Sequence, residues 1–570
     1  MSKGAIIGAS TVLVVAVVAA VCVVSFKNGG GGKEDGELST SVKSVKAFCQ
    51  PTDYQQTCEE ELGKAAGNGA SSPTDLAKAM FAVTSEKISK AISESSTLEE
   101  LKNDKRTSGA LQNCKELLEY AVDDLKTSFE KLGGFEMTNF HKAVDDLRTW
   151  LSAALTYQGT CLDGFLNTTT DAADKMKSAL NSSQELTEDI LAVVDQFSAT
   201  LGSLNIGRRL LLADDGMPVW MSEGGRRQLL EAAGPEAGPV EFKPDVTVAA
   251  DGSGDVKTIG EAVAKVPPKN KERYTIYVKA GTYKEYVSVG RPATNVNMIG
   301  DGIGKTIITG NKNFKMNLTT KDTATMEAIG NGFFMRGITV ENTAGPENHQ
   351  AVALRAQSDM AVFYQCEFDG YQDTLYPHAQ RQFFRDCTVS GTIDFIFGNS
   401  QASKIVVLQN CLLQPRKPMD NQVNIITAQG RREKRSAGGT VIHNCTVAPH
   451  PDLEKFTDKV KTYLARPWKE YSRTIFVQNE IGAVVDPVGW LEWNGNFALD
   501  TLYYAEVDNH GPGADMSKRA KWKGVQSLTY QDVQKEFTVE AFIQGQEFIP
   551  KFGVPYIPGL LPQTQQGRMH

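Results

Sequence analysis

Hydrophobic positions change their period twice along this chain, and each change marks a new kind of element. Ile6 to Val24 is an almost unbroken apolar run without a charge, flanked by Lys3 and Lys27. It is long enough for a membrane helix of about 20 residues and longer than the usual core of a cleaved leader. Residues 1–26 therefore read as a signal anchor or a signal peptide, the length favouring the anchor, and either form sends the chain into the secretory pathway. A Gly-rich tether covers 27–40. From Ser41 to Leu204 the period is helical: Leu118, Val122, Leu125, Phe129 and Leu132 fall on one face, as do Phe140, Val144, Leu147, Leu151 and Leu155. This predicts an all-α four-helix bundle over 41–204, preceded by a short hairpin. Residues 205–240 lose the period and gain Gly and Pro, as an exposed linker does.

From Asp245 onward the runs are short, β-rich and punctuated by Gly and Asn: YTIYVKAG, NVNMIG, KTIITGN, MAVFYQCEF, RQFFRDCTV, KIVVLQNCLL. Two of them repeat in one frame. Cys366 is followed seven residues later by Asp373, and Cys387 seven residues later by Asp394, an offset of 21 for both pairs. The same unit places Gly337, Cys366, Cys387, Cys411 and Cys445 in equivalent sites at intervals of 29, 21, 24 and 34. A fixed unit with variable insertions is the mark of a solenoid, and hairpin turn signals are missing. The reading is an all-β right-handed parallel β-helix over 241–555 with a tail at 556–570. Variable loops on one side would wall a groove.

At 570 residues the chain is too long for one ordinary core. Gly234 to His570 holds 37 Lys plus Arg against 36 Asp plus Glu, so the net −8 belongs to the N-terminal part. A near-neutral C-terminal half argues against nucleic acid as its main partner. The cysteines after Cys22 fall into two sets of four, which suits an oxidising compartment. Cys49, Cys58, Cys114 and Cys161 read as bridges. In the second set, Cys387 and Cys411 are disulfide candidates, with buried free thiols at repeated solenoid positions as the alternative. Asn167, Asn181, Asn317 and Asn444 open Asn-X-Ser/Thr sequences that a glycan could use.

The repeat carries the chemistry. Equivalent residues on successive coils lie about 4.8 Å apart, so Asp373 and Asp394 should face each other. At that distance and an effective dielectric near 20, like charges repel by roughly 3 kcal/mol, which separates two pKa values by about two units. One carboxyl can then hold a proton while its neighbour is ionised. Gln350 and Gln372 lie 22 residues apart, about one coil, and neutral amide donors there suit a developing oxyanion. An amide ladder in the turns is the structural alternative. Arg466 can align a carboxylate, and Trp468 offers a flat face to a sugar ring. No Gly-X-Ser-X-Gly motif and no metal-ligand cluster is evident, so neither metal nor cofactor is expected. The basic run Arg431 to Arg435 reads as a solvated loop.

GTYKE (281–285), QAVAL (350–354), YQDTLY (371–376), DFIFG (394–398) and LARPW (464–468) resemble the five signature segments of plant pectin methylesterases, in family order. The N-terminal bundle resembles the inhibitor-like pro-domain that precedes the catalytic domain in one group of them. The resemblance implies a secreted hydrolase of methyl esters in homogalacturonan, acting in the cell wall. Asp394 would be the nucleophile, Asp373 the acid and then the base, and Gln350 and Gln372 the oxyanion donors. Arg466 would orient Asp394, with Thr320, Gln350, Arg466 and Trp468 in contact with substrate. It also implies processing by a subtilisin-like protease at Arg208-Arg209-Leu210-Leu211 or at Arg226-Arg227, a monomer afterwards, and an inhibitor protein as a further partner. Two departures stand out: Ala465 replaces the family's Gly, and the stretch after Asn399 is about four residues longer than usual. Other readings are a polygalacturonase or pectate lyase, which are also β-helical, or a binding and inhibitory protein without activity.

Overall fold

The computed structural model describes residues 40–66, 72–100, 104–132, 140–203, 242–399, 406–436 and 438–563. The apolar run Ile6 to Val24, the tether up to residue 39, both dibasic clusters and residues 400–405 after Asn399 lie outside them. Among the described residues no helix is long and apolar enough to cross a membrane. The chain divides into two compact units.

The first unit is helical: α1 (Thr40–Cys49), α2 (Gln55–Ala66), α3 (Pro73–Glu100), α4 (Lys105–Leu132), α5 (Phe140–Asp163) and α6 (Ala172–Ser203). The two short helices form the hairpin and the four long ones the bundle, with α4 packed on α3 and α5, and α6 on the same two. Disulfides join Cys49 to Cys58 and Cys114 to Cys161. Leu118, Val122 and Leu125 are buried as the period predicts, but Phe129 is 37% exposed. The buried stripe of α4 drifts onto Asp124 and Ser128 instead, and the Ser128 hydroxyl donates to the Asp124 backbone carbonyl. Helix α5 is buried nearly all round from Leu151 to Cys161. Its buried Gln158 is satisfied from α6, donating to Thr187 and accepting from Ser183.

The second unit is a β-helix of three parallel sheets with ten, seven and eight strands among the described residues. In the ten-stranded sheet both strand faces are apolar, for separate reasons. One row points inward and stacks, as Phe363 does on Phe384 with centroids 4.6 Å apart and planes 8° apart. The other row, Phe334, Val362, Phe383, Val407, Val441 and Ile475, is covered by the C-terminal residues Val533, Phe537, Phe542, Ile543, Phe548 and Phe552. The doubled aromatics of FYQC and FFRDC are therefore one interior and one exterior contact.

The ladder of the repeat runs through Ile338, Cys366, Cys387, Cys411 and Cys445, because Arg336 pairs with Tyr364 and Tyr364 with Arg385. Gly337 belongs one position earlier, in the left-handed site (φ 66°) that Gln365, Asp386, Asn410 and Asn444 also occupy. The sequence frame was thus off by one residue there, since the left-handed site is what selects Gly. Cys387 and Cys411, candidates for a disulfide, are free and buried, as are Cys366 and Cys445. Each thiol donates to a carbonyl of the preceding coil, Cys387 to Phe363 and Cys411 to Phe384. Asn479 and Asn509 continue the same ladder with amides, donating to Ile442 and Phe476.

Candidate active site

The seven-stranded sheet positions the site. Leu354, Leu375, Ile396, Thr427 and Ala465 pair across five successive coils. Asp373 and Asp394 each stand two residues before a paired position, so they occupy the same place on adjacent coils. The Asp373 amide donates to Ile393, the residue before Asp394, at 3.0 Å. Both are left-handed, with φ 65° and 52°. Asp tolerates this region better than most residues, and such positions gather at functional sites.

Burial and partners separate the two carboxyls. Asp394 is 5% exposed and receives two bonds from Arg466, Nε to Oδ1 at 2.7 Å and Nη2 to Oδ2 at 2.6 Å. This fork fixes the plane of the carboxylate. Asp373 is 6% exposed, and its carboxyl has no hydrogen-bond partner among the described residues. Burial first, and then the charge of Asp394, raise its pKa well above the usual carboxylate range, with Arg466 opposing. Burial alone would lower the guanidinium of Arg466, but the facing Asp394 outweighs it and the group is raised.

The sheet also brings the amides near. Gln372 precedes Asp373, and its carbonyl accepts from Ala351, the neighbour of Gln350. The two glutamines are thus one position out of line, as their spacing of 22 against a coil of 21 requires. Among the described residues neither side-chain amide is spent on a hydrogen bond, so they do not form a structural ladder. Thr320 lies in the loop before the strand Met326–Ala328, and that loop is tied to the Gln350 segment by Phe314 N to Gln350 O at 2.9 Å. Trp468 packs at the edge of an aromatic cluster with Tyr376, Phe397, Val352 and Ala428. Gly430 makes that seat, since a Cβ there would come within 2.6 Å of the Trp468 ring.

Ala465 does not disturb this arrangement. It lies in the strand Thr462–Ala465 without a positive φ, fully buried, and Arg466 leaves the strand directly toward Asp394. The basic run is not simply solvated: Arg431 is 3% exposed and donates to the Tyr471 carbonyl.

Several residues that shape the site escaped the sequence reading. Trp493 lies against the Arg466 guanidinium at 4.3 Å, so Arg466 is held by a carboxylate at its edge and an indole on its face. Tyr376 and Phe397 stack at 4.3 Å, and their offset of 21 residues was the same signal that revealed the two Asp. Arg416 bonds Asp369, Tyr371 and Asp452, bracing the turn that leads into Gln372 and Asp373.

A pair of buried carboxyls, one in an ion pair and one whose pKa is raised, beside two unspent amides is a constellation suited to acyl transfer through a carboxylate nucleophile. The sequence model of the pectinesterase family matches residues 245–546, and that of plant invertase/pectin methylesterase inhibitors matches 43–193. An Arabidopsis thaliana protein named probable pectinesterase/pectinesterase inhibitor 21 is 48% identical over 98% of this chain and 82% of its own length. Probable pectinesterase/pectinesterase inhibitor 58 of the same plant is 44% identical over 97% and 98%. Among solved structures, the pectin methylesterase from carrot is 47% identical with a TM-score of 0.55, covering 56% of this chain and 99% of that one. The second unit matches such an enzyme and the first resembles an inhibitor, so this chain belongs to the pectinesterase family, in a form that also carries a pectinesterase-inhibitor-type domain.

Proposed function

We propose that the β-helix unit hydrolyses methyl esters of galacturonate units in pectin, with Asp394 as nucleophile and Asp373 as proton carrier. The single observation behind this reading is the asymmetry of the two carboxyls: Arg466 grips Asp394 at 2.7 and 2.6 Å while Asp373 is buried, unbonded and raised in pKa. An Oδ atom of Asp394 attacks the ester carbonyl, and the negative charge gathers on the carbonyl oxygen. The amides of Gln350 and Gln372 are free to donate to that oxygen. Collapse breaks the C–O bond to the methoxy group, which leaves as methanol with the proton of Asp373, and an anhydride to Asp394 remains. Asp373, now ionised, takes a proton from water. The hydroxide adds to the anhydride carbonyl, releasing the de-esterified galacturonate and restoring both Asp residues. Thr320, Gln350, Arg466 and Trp468 hold the sugar chain, Trp468 through its ring face.

The helical unit, 41–204, is an inhibitor-like pro-domain, and 205–240 is its processing linker, cut at Arg208–Leu211 or near Arg226-Arg227 by a subtilisin-like protease. The apolar run at 1–26 directs the chain through the secretory pathway to the cell wall, where the processed catalytic domain, 241–555, acts as a monomer. The dibasic-leucine sequences and the inhibitor-family match support this order of events.

The experiment is methanol release from highly methylated pectin, measured together with the length of the polymer. Methanol at unchanged chain length is expected, and an Asp394→Ala variant should release none. Shortening of the polymer would replace this reading with a chain-cleaving enzyme.

A further inference from the structure

Four Asn-X-Ser/Thr sequences lie at four different places in the fold, and they do not offer a sugar the same room. Asn444 is half-buried at a bend between adjoining coils. Its amide N–H donates to Val477 at 3.0 Å, its side chain donates to Asn410 at 2.7 Å, and the next residue, Cys445, is 1% exposed. A branch on that nitrogen would force neighbouring coils apart. Asn181 is exposed in the middle of α6, but its side-chain nitrogen donates to Glu185 at 2.9 Å. Asn167 is exposed in a left-handed position (φ 62°) just beyond α5.

Asn317 combines openness with location. It is exposed, left-handed (φ 59°), and ends the one-turn helix Phe314–Met316. Its side chain makes no hydrogen bond among the described residues. The neighbouring Met316 is 44% exposed, and a covering sugar would shield it. The loop itself is fixed rather than loose: Phe314 N donates to Gln350 O at 2.9 Å, the Phe314 ring meets His349 at 6.1 Å, and Val352 N donates to the Thr323 hydroxyl at 3.0 Å. Anything attached to Asn317 therefore stands a short way from Thr320 and Gln350.

We propose that Asn317 carries an N-linked glycan, standing on the wall of the substrate-binding face beside Thr320 and Gln350. The inference rests on passage through the secretory pathway as read above. In the transfer, the Asn317 amide nitrogen forms a bond to C1 of the first sugar of a lipid pyrophosphate-linked oligosaccharide. The C1–O bond to the pyrophosphate breaks, the amide gives up one proton, and the lipid pyrophosphate leaves. A hydrated branched sugar at this place crowds a long polymer more than a short one, while the Asp373–Asp394 chemistry is untouched.

The test uses the full chain made in a eukaryotic secretory host and treated with peptide N-glycosidase in heavy-oxygen water, which leaves an isotope-marked Asp at every glycosylated Asn. Marks at Asn317 and Asn167 but none at Asn444 are expected. A mark at Asn167 with a bare Asn317 overturns the inference and leaves the secretory reading standing. A chain retained in the cell with no mark overturns both. The second arm compares the glycosylated protein with an Asn317→Asp variant, which keeps a residue suited to φ 59°. A severalfold fall in KM for long pectin, with kcat and the KM for short methylated oligomers unchanged, is expected. Equal KM values for long pectin would refute the placement of the sugar at the substrate face.

Discussion

Arg466 reaches Asp394 across 72 residues of chain and holds both carboxylate oxygens, at 2.7 and 2.6 Å. The pair is possible because Ala465 and Thr427, then Thr427 and Ile396, stand in register on neighbouring coils. Trp493 lies on a face of the guanidinium at 4.3 Å. A lysine could replace the charge but neither the fork nor the flat stack. Arg466→Lys should therefore fold, with its melting temperature within a few degrees of the parent, and lose on the order of 100-fold in kcat if Asp394 is the nucleophile that the fork aligns. Methanol release under saturating pectin measures this. Retention of full kcat would remove Arg466 from its positioning role.

Asp373 supplies a pH signature of its own. Its folded pKa is raised by burial and by Asp394, above an unfolded value near 3.9. A raised carboxyl contributes stability that is fully present below the unfolded value and is lost as pH rises through the folded one. Asp373→Asn cannot ionise and escapes this loss. The melting temperature of the variant minus that of the parent should climb as pH is raised from below 4 through the neutral range. A difference that stays flat would mean that Asp373 titrates as an ordinary surface carboxyl.

Gly391 fills the narrow space between the turns that carry Asp373 and Asp394. A Cβ there would meet the Thr374 hydroxyl and the Tyr371 carbonyl, both at 2.6 Å, and the Phe395 side chain. Tyr371 and Thr374 bracket Gln372 and Asp373, while Phe395 follows Asp394. Gly391→Ala must push these turns apart, at about 1–3 kcal/mol of overpacking. A lower melting temperature together with at least a tenfold fall in methanol release is expected. If activity is intact while stability drops, the turns are looser than their spacing indicates.

What could be read from the sequence was whatever the coil length of 21 made periodic. Asp373 with Asp394 and Tyr376 with Phe397 share that offset, and a β-helix turns equal spacing into contact. Trp493 and Arg416 arrive from loops of irregular length, so no frame pointed to them, although Trp493 touches Arg466 and Arg416 braces the turn before Gln372. The same limit explains the frame error at Gly337: glycine marked the left-handed site, and the ladder residue beside it is Ile338. Nor does the ladder stop at Cys445. Asn479 and Asn509 take the place of cysteine because an amide, like a thiol, reaches the carbonyl of the preceding coil. In the helical unit, Phe129 fits the apolar stripe by period yet remains exposed, as the packed stripe drifts to Asp124 and Ser128.

The helical unit has a pH-dependent joint where its hairpin meets the bundle. Asp189 of α6 is fully buried and accepts from the Tyr54 amide at 3.0 Å, at the start of α2. One turn earlier on α6, Glu185 accepts from the Thr57 hydroxyl at 2.5 Å, so two carboxyls of α6 hold one helix start. Burial pushes the Asp189 pKa up to about 6, the nearby charges of Asp53 and Glu185 add to the rise, and the bonds from Tyr54 and Asp53 amides oppose it. By the same rule of sign, the stability Asp189 contributes is fully present below about 4, and it is lost as pH rises through about 6. The disulfide Cys49–Cys58 keeps the hairpin closed while this happens, so loosening should appear between hairpin and bundle rather than within the hairpin. Hydrogen exchange of the α2 amides in the full chain should quicken between pH 5 and pH 7 beyond the intrinsic rise, and Asp189→Asn should abolish the excess. An excess that survives the substitution would assign the joint to other groups.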